Sequence, residues 1–381
     1  MVLTAISAAA LALWIGLAAT RLPPFGGLPR LGTVRAPSQW PDVVAIIPAR
    51  NEEETIGAVI AAHAAAEYPG AFSIILVDDH STDKTAAKAQ GAGAERMTLI
   101  EAPPLAAGWT GKLSAVNAGL SRAAEIAPKA KYALLTDADI VFAPDTLRRL
   151  VMQAEDRGDA LTSLMARLDA RGVWGGLLIP AFVYFFYKLY PFHLVNDATK
   201  KIAAAAGGCM LVRRDALEAI GGVASIRGKL IDDCALAQTI KNPGRPIWIG
   251  LAKDEAVSLR DNRSLSSIWS MVARTAFTQL GYSHFLLIGT VIGMAYIYLA
   301  PPAIALFYPL HENAAAAALS AAGWALMALT YRPISRNYDQ APWKTFLLPV
   351  AAFFYSLMTL SSAASHARGK GGAWKGRTYS A

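Results

Sequence analysis

The sequence predicts an α/β domain built on a mostly parallel sheet, set among stretches apolar enough to enter a membrane. Three observations carry this. Apolar, β-branched runs alternate with helical patterns over about 110 residues, the signature of parallel strands joined by helices. Carboxylates stand in pairs where those apolar runs stop, and long, nearly uncharged stretches flank the alternating region on both sides. Of 381 residues, 54% are hydrophobic and 17% charged, and the mean hydropathy is +0.33. That is too apolar for an ordinary soluble protein and too charged in its middle for a bundle of membrane helices alone.

In chain order, Val2–Thr20 is an apolar run about long enough to span a bilayer. It has no basic segment before it, and Arg21, Arg30 and Arg35 follow it. These features favour an uncleaved anchor over residues 1–21 with its following flank in the cytoplasm. Residues 22–40 form a Pro/Gly-rich linker, and residues 41–283 form the α/β domain. Val43–Ile47 is the first strand; it ends at Pro48 and leads through Ala49-Arg50-Asn51-Glu52-Glu53 into an Ala-rich helix reaching about Ala66. Phe72–Val77 is the second strand, ending in Asp78-Asp79, with Ser81 or Thr82 placed to cap the next helix. Met97–Ile100 is the third strand and Lys112–Ala127 a helix. Tyr132–Leu135 is the fourth strand, and Asp145, behind Pro144, begins another helix.

Residues 173–195 are apolar and rich in Tyr and Phe, and Pro180, Lys188 and Pro191 interrupt them. That composition suits an interfacial segment better than a buried span. Gly207–Val212 reads as a strand, Asp215–Ile220 as a short helix ending at Gly221-Gly222, and Ile231-Asp232-Asp233 opens a helix with both carboxylates in its first turn. Residues 284–366 hold three apolar stretches, Phe285–Leu310, Ala314–Thr330 and Thr345–Ser365, and Pro301-Pro302 predicts a break in the first. The tail, 367–381, carries Arg368, Lys370, Lys375 and Arg377. Both this tail and the basic loop Arg332–Lys344 call for the cytoplasmic side, which requires one stretch to be re-entrant or interfacial.

The formal net charge is +8. No nucleic-acid module or aromatic-interleaved basic stripe accompanies it, so lipid headgroups and the phosphates of a donor account for the excess better than nucleic acid does. Two cysteines, Cys209 and Cys234, give neither a disulfide framework nor a metal-ligand pair, which fits a reducing compartment. The chemistry lies in the acidic pairs. Asp137 and Asp139 stand one residue apart after an extended run, so both can face one hard divalent cation, Mg2+ or Mn2+, at a strand's C-terminal end. Pro48-x-x-Asn51-Glu52, Asp78-Asp79, Asp137-x-Asp139 and Asp232-Asp233 follow in that order. An acidic edge that takes an anionic nucleotide needs a cation to bridge it.

That ordered set resembles the family 2 glycosyltransferases, inverting enzymes of the GT-A (Rossmann-like) fold that use nucleotide sugars. Further stretches resemble the hopene-associated glycosyltransferases: Gly108-Trp109-Thr110-Gly111-Lys112, Ile179-Pro180-Ala181-Phe182-Val183, Ala206-Gly207-Gly208-Cys209-Met210-Leu211, Leu230-Ile231-Asp232-Asp233-Cys234 and Met271-Val272-Ala273-Arg274-Thr275-Ala276. The resemblance implies nucleotide-sugar contacts, UDP foremost, at Ala49, Arg50, Asn51, Glu52, Asp78, Asp79, Lys112 and Asp137. It implies metal at Asp139 with Asp137, a general base at Asp233 with Asp232 beside it, and an acceptor side at Gly207, Gly208 and Arg274. Processive members carry Gln/Arg-x-x-Arg-Trp after the base. Here Arg274-Thr275 stands without the Trp, which speaks against polymer synthesis. Trp374-Lys375-Gly376-Arg377 resembles a tail of lipid-modifying relatives.

The implied protein is a multi-pass inner-membrane glycosyltransferase with its catalytic domain in the cytoplasm. It would transfer a sugar to a lipid acceptor such as a hopanoid. The rival readings are a polyprenyl-phosphate glycosyltransferase and a non-catalytic membrane protein that only binds nucleotide sugar.

Overall fold

In the computed structural model, residues 1–21, 27–92, 95–369 and 371–372 are described; Lys370 and the segment Trp374–Arg377 lie outside them. The strands are β1 (Val43–Ala49), β2 (Phe72–Asp78), β3 (Met97–Glu101), β4 (Tyr132–Leu135), β5 (Ile140–Phe142), β6 (Leu161–Met165), β7 (Met210–Arg213), β8 (Ile247–Leu251) and β9 (Ala256–Ser258). Seven form one sheet in the order β3-β2-β1-β4-β7-β6-β8, and β5 pairs with β9 in a separate ribbon. Within the large sheet only β7 runs antiparallel to its neighbours; all other pairings are parallel. This is the mostly parallel α/β sheet that the alternating pattern predicts.

The first four strands begin at the expected residues. β5, β6, β8 and β9 were not anticipated. They are three to five residues long, and β6 and β8 are buried on every residue. A short run without alternation carries no period that separates strand from helix. Gly207 and Gly208, expected within a strand, lie in the turn before β7. Their lack of a side chain serves close approach there, since a Cβ on Gly208 would come within 3.2 Å of Ile140. Ser81 and Thr82 do not cap the following helix, Thr85–Gly91. The Asp83 carboxylate accepts its first N–H, from Thr85, at 2.9 Å.

β1 is an interior strand, paired on both sides, and is buried along its whole length. It contains Pro48, which a central strand rarely tolerates. The register explains the exception: β4 pairs with β1 only as far as Ile46, so the missing N–H at Pro48 interrupts no bond to β4. The helix Gly111–Ile126 packs on β1 and β2. Gly119 permits the close approach, because a Cβ there would sit 2.5 Å from the Ile46 side chain.

The chain divides into two compact units, Pro29–Leu168 with Phe192–Arg260, and Met1–Leu28 with Asp169–Pro191 and Asp261–Ala381. The first holds the sheet. The second is helical and, among the described residues, contains five helices long and apolar enough to cross a membrane: Val2–Thr20, Gly172–Leu189, His284–Leu306, Ala314–Asn337 and Pro342–Ala367. The expected break at Pro301-Pro302 appears as a change of helical register: Ala295–Leu299 is π-helical, and the prolines sit in the first turn of the helix that follows, where their missing N–H groups cost least. Arg332 and Arg336 lie on the helix ending at Asn337 rather than in a loop, because Pro333 is accommodated within that helix.

Sheet topology constrains the membrane path. β4 precedes the helix Gly172–Leu189, β7 follows it, and the two strands pair. A single crossing by that helix would put paired strands on opposite sides of a bilayer. Within the helical unit, the last helix returns to where the helix His284–Leu306 starts. His366 packs on Tyr282 with ring centroids 5.3 Å apart, and Ser362 Oγ accepts the Phe277 N–H at 3.0 Å.

Candidate active site

β1, β2 and β4 are parallel neighbours, so their C-terminal ends share one edge of the sheet. The loops after β1 and β2 are stitched together there. Asn51 and His80 both adopt left-handed backbone, with φ of 51° and 54°, a conformation that Asn and His visit more readily than bulky residues do. Asn51 N–H donates to Ser81 Oγ at 3.0 Å, and its side-chain oxygen accepts the Thr82 N–H at 2.9 Å. Glu52 N–H donates to Thr85 Oγ1 at 2.8 Å, and the Arg50 guanidinium donates to the carbonyls of Asp79 and His80. Asp78 is held in its own turn by the N–H and hydroxyl of Ser81. Asp79 is 2% exposed. The residues expected to bind nucleotide, Ala49 to Glu52 with Asp78 and Asp79, thus form one hydrogen-bonded double loop.

Lys112 begins the helix Gly111–Ile126, which is capped by the Thr110 hydroxyl accepting the Leu113 N–H. Its ammonium lies 2.9 Å from Asp137 Oδ1 and 3.1 Å from Asp232 Oδ2. Burial opposes a charge at Lys112, but Asp137 and Asp232 outweigh it and hold the ammonium above its ordinary pKa. Asp232 and Asp233 occupy the first turn of the helix Asp232–Lys241. Asp233 is fixed by two backbone donors: Gly207 N–H to Oδ2 at 2.9 Å and Cys234 N–H to Oδ1 at 2.7 Å. Burial, and then the charge of Asp232, push the Asp233 carboxyl up to about 6, while Lys112 pulls the other way. A Cβ on Gly207 would meet the Lys112 ammonium at 3.1 Å and Asp233 Oδ2 at 3.5 Å, so this glycine keeps lysine and carboxylate together.

Asp139 is 6% exposed. Its Oδ2 accepts from Ser258 Oγ at 3.0 Å and lies 3.3 Å from Arg260 Nε. Burial raises its carboxyl above the ordinary range, opposed by Arg260 and reinforced by the charge of Asp137. The expected geometry was two side chains on one face of an extended segment. Instead β4 stops at Leu135 and the acidic residues occupy a turn, closed by Ile140 N–H donating to the Asp137 carbonyl at 3.2 Å. The two carboxylates interact but engage different cations. Sequence reasoning missed Ser258 and Arg260, since a three-residue strand carries no signal. The pairing of Ile140 with Ser258 is what brings them to Asp139.

Among the described residues, no three His, Cys, Asp or Glu side chains form a ready-made metal cage. A hard ion that keeps waters and takes phosphate oxygens needs only one or two carboxylates, and Asp137 with Asp139 is such a pair. The residues therefore fit an ion delivered with a diphosphate. Arg274 stands at the C-terminal cap of the helix Leu265–Ala273 in the helical unit.

Residues 44–221 match the family described as glycosyl transferase family 2. The match covers a little under half of the chain. An N-acetylglucosaminyltransferase of Mesorhizobium japonicum is 30% identical over 155 residues, 40% of this chain and 33% of the relative. An undecaprenyl-phosphate 4-deoxy-4-formamido-L-arabinose transferase of Pseudomonas aeruginosa is 29% identical over 186 residues, 47% of this chain and 49% of the relative. The chain thus spans half or less of the length of these two relatives. A mannosyltransferase from Pyrobaculum calidifontis, solved with GDP-Man and Mn2+, superposes with a TM-score of 0.57 at 20% identity. That match covers 93% of this chain and 99% of the mannosyltransferase. The likeness shows a shared fold, the GT-A arrangement.

Proposed function

We propose that the chain is a membrane-bound inverting glycosyltransferase that moves a sugar from a nucleoside diphosphate sugar, UDP-linked by preference, to a lipid acceptor. The observation that carries this is the placement of Asp233. It is a carboxylate oriented by two backbone N–H groups and raised to about 6, next to a lysine that ties it to the acidic turn of β4.

In this reading the double loop of Ala49–Glu52 and Asp78–Asp79 grips the nucleoside, and Lys112 meets the diphosphate. Mg2+ or Mn2+, held through Asp139 and Asp137, would supply positive charge against the leaving diphosphate. The acceptor hydroxyl oxygen bonds to the anomeric carbon as the bond from that carbon to the diphosphate oxygen breaks. The hydroxyl proton passes to Asp233. A carboxylate titrating near 6 is a stronger base than an ordinary one and is still ionised at neutral pH. Single displacement inverts the anomeric centre.

A second reading is favoured by the undecaprenyl-phosphate transferase relative: the nucleophile is the phosphate oxygen of a polyprenyl phosphate. Such an oxygen is already anionic and places little demand on a base. Incubating purified full-length chain with labelled UDP- and GDP-sugars and either a hydroxyl-bearing lipid (a hopanoid among them) or a polyprenyl phosphate tests both. Labelled lipid that disappears with chelator and returns with Mn2+ or Mg2+ is the expected result. Donor that is bound and never transferred would make this a nucleotide-sugar-binding protein.

For the membrane path, we propose that Gly172–Leu189 lies in or dips into one leaflet and that Pro342–Ala367 is re-entrant. Pairing of β4 with β7 and the packing of His366 on Tyr282 support this. The sheet and the tail from Arg368 onward would then share the cytoplasmic side. A cysteine placed at Arg368 should resist impermeant maleimide in intact cells and react after lysis. Strong labelling of intact cells would contradict the re-entrant path.

A further inference from the structure

The helical unit holds a cavity of about 240 Å3, and its lining includes none of the residues assigned above to nucleotide, metal or base. It lies between the helix Gly172–Leu189, the end of the helix Ala314–Asn337, and the segment that follows. Leu177, Trp343 and Leu347 form apolar wall. The polar wall is Tyr331, Ser335, Gln340 and Lys344.

Three features make the polar wall a receptor for an anion. The Lys344 ammonium donates to Gln340 Oε1 at 2.7 Å and has no carboxylate at ion-pair distance among the described residues. Tyr331 and Ser335 are 4% and 2% exposed. Neither hydroxyl has a hydrogen-bond partner among the described residues, and neither is sealed in packing. Two hydroxyls with access to the cavity, beside an ammonium that has no carboxylate partner among the described residues, leave donors for a ligand. Gly176 keeps this end of the cavity clear: a Cβ there would meet Gln340 Oε1 at 3.3 Å and the Lys344 ammonium at 3.6 Å.

We propose that this cavity binds a lipid through its phosphate. Lys344, Tyr331 and Ser335 would donate to the phosphate oxygens, and Leu177, Trp343 and Leu347 would cover the first methylenes of the chain. The lipid source follows from the setting. The enclosing segments belong to stretches apolar enough to enter a bilayer, and the rim exposes Val173 and Trp343, at 80% and 61%. An anion reaching this cavity therefore arrives attached to a hydrocarbon chain. A polyprenyl phosphate and a phospholipid headgroup share this chemistry. The inference goes beyond sugar transfer and does not need it.

Native mass spectrometry of the full chain in neutral detergent, without nucleotide sugar, tests it. The probes are undecaprenyl phosphate, phosphatidic acid, phosphatidylcholine and inorganic phosphate. The expected result is retention of one or both lipid monophosphates, with inorganic phosphate unable to displace them. Undecaprenyl phosphate retained above phosphatidic acid identifies an acceptor-type lipid; equal retention identifies a headgroup site. Lys344→Met should weaken lipid-phosphate binding about tenfold, the worth of one charge-assisted hydrogen bond, and Lys344→Arg should preserve it. Gly176→Leu should weaken it with the charge intact, and phosphatidylcholine should bind all variants alike. Binding unchanged in both Lys344→Met and Gly176→Leu overturns the proposal, as does displacement by inorganic phosphate at equal concentration. Since no donor is present, a chain that fails to transfer sugar leaves this result untouched.

Discussion

Asp137 and Asp139 stand one residue apart in the same turn, yet they belong to different neighbourhoods. Asp137 shares Lys112 with Asp232 and so is tied to the helix that carries Asp233. Asp139 is held from the β9 side, where Ser258 and Arg260 engage its Oδ2. The difference teaches that the acidic motif is a junction between two networks. In the proposed mechanism one network couples donor side to base, and the other sets how available Asp139 is to a metal. Each carboxylate already has a cation partner of its own. An arriving ion must compete with Arg260 for Asp139, and an arriving diphosphate can take over Lys112.

Breaking the first network should have the larger effect. Lys112→Met leaves Asp137 and Asp232 facing each other without the cation between them. Affinity for a nucleoside diphosphate sugar, read by titration calorimetry, should fall about 100-fold, on the scale of one or two charge-assisted hydrogen bonds. Lys112→Arg should recover much of it. Unchanged affinity in Lys112→Met would mean that the lysine only neutralises its neighbours.

The second network should respond mildly and in the other direction. Arg260 is 41% exposed at its side chain, and exposed ion pairs are worth little. Arg260→Gln should therefore tighten Mn2+ binding, followed by electron paramagnetic resonance of the free ion, by only about two- to fivefold. Weaker Mn2+ binding in this variant would show Arg260 supporting the metal site rather than competing for it.

The two networks were not equally legible in the sequence. The strands that set the donor side, β1, β2 and β4, are apolar runs stopped by Pro48, Asp78 and Asp137, so period and punctuation located them. Lys112 and Asp232-Asp233 were legible as motif residues, although their mutual contact was not, because it joins elements 120 residues apart in the numbering. Ser258 and Arg260 were illegible, for β9 is a three-residue strand whose place depends on pairing with β5. The extended geometry assumed for Asp137 and Asp139 failed because periodicity cannot say where a strand stops and a turn begins. In the helical unit, hydropathy found the apolar stretches. The constraint on Gly172–Leu189 came only from the pairing of β4 with β7.

The central claim is that Asp233 takes the proton of an acceptor hydroxyl, and the pH–rate profile of transfer in wild type and Asp233→Asn tests it most directly. The sign follows from the direction of the shift: with its carboxyl pushed up to about 6, Asp233 is a base above that pH and is protonated below it. Wild-type transfer should be flat at neutral pH and fall about tenfold per unit below about 6. In Asp233→Asn, donor binding should persist, transfer at neutral pH should drop by roughly two to four orders of magnitude, and the inflection near 6 should vanish. A variant that transfers at the wild-type rate, with the inflection still in place, would contradict the assignment of Asp233 as the base.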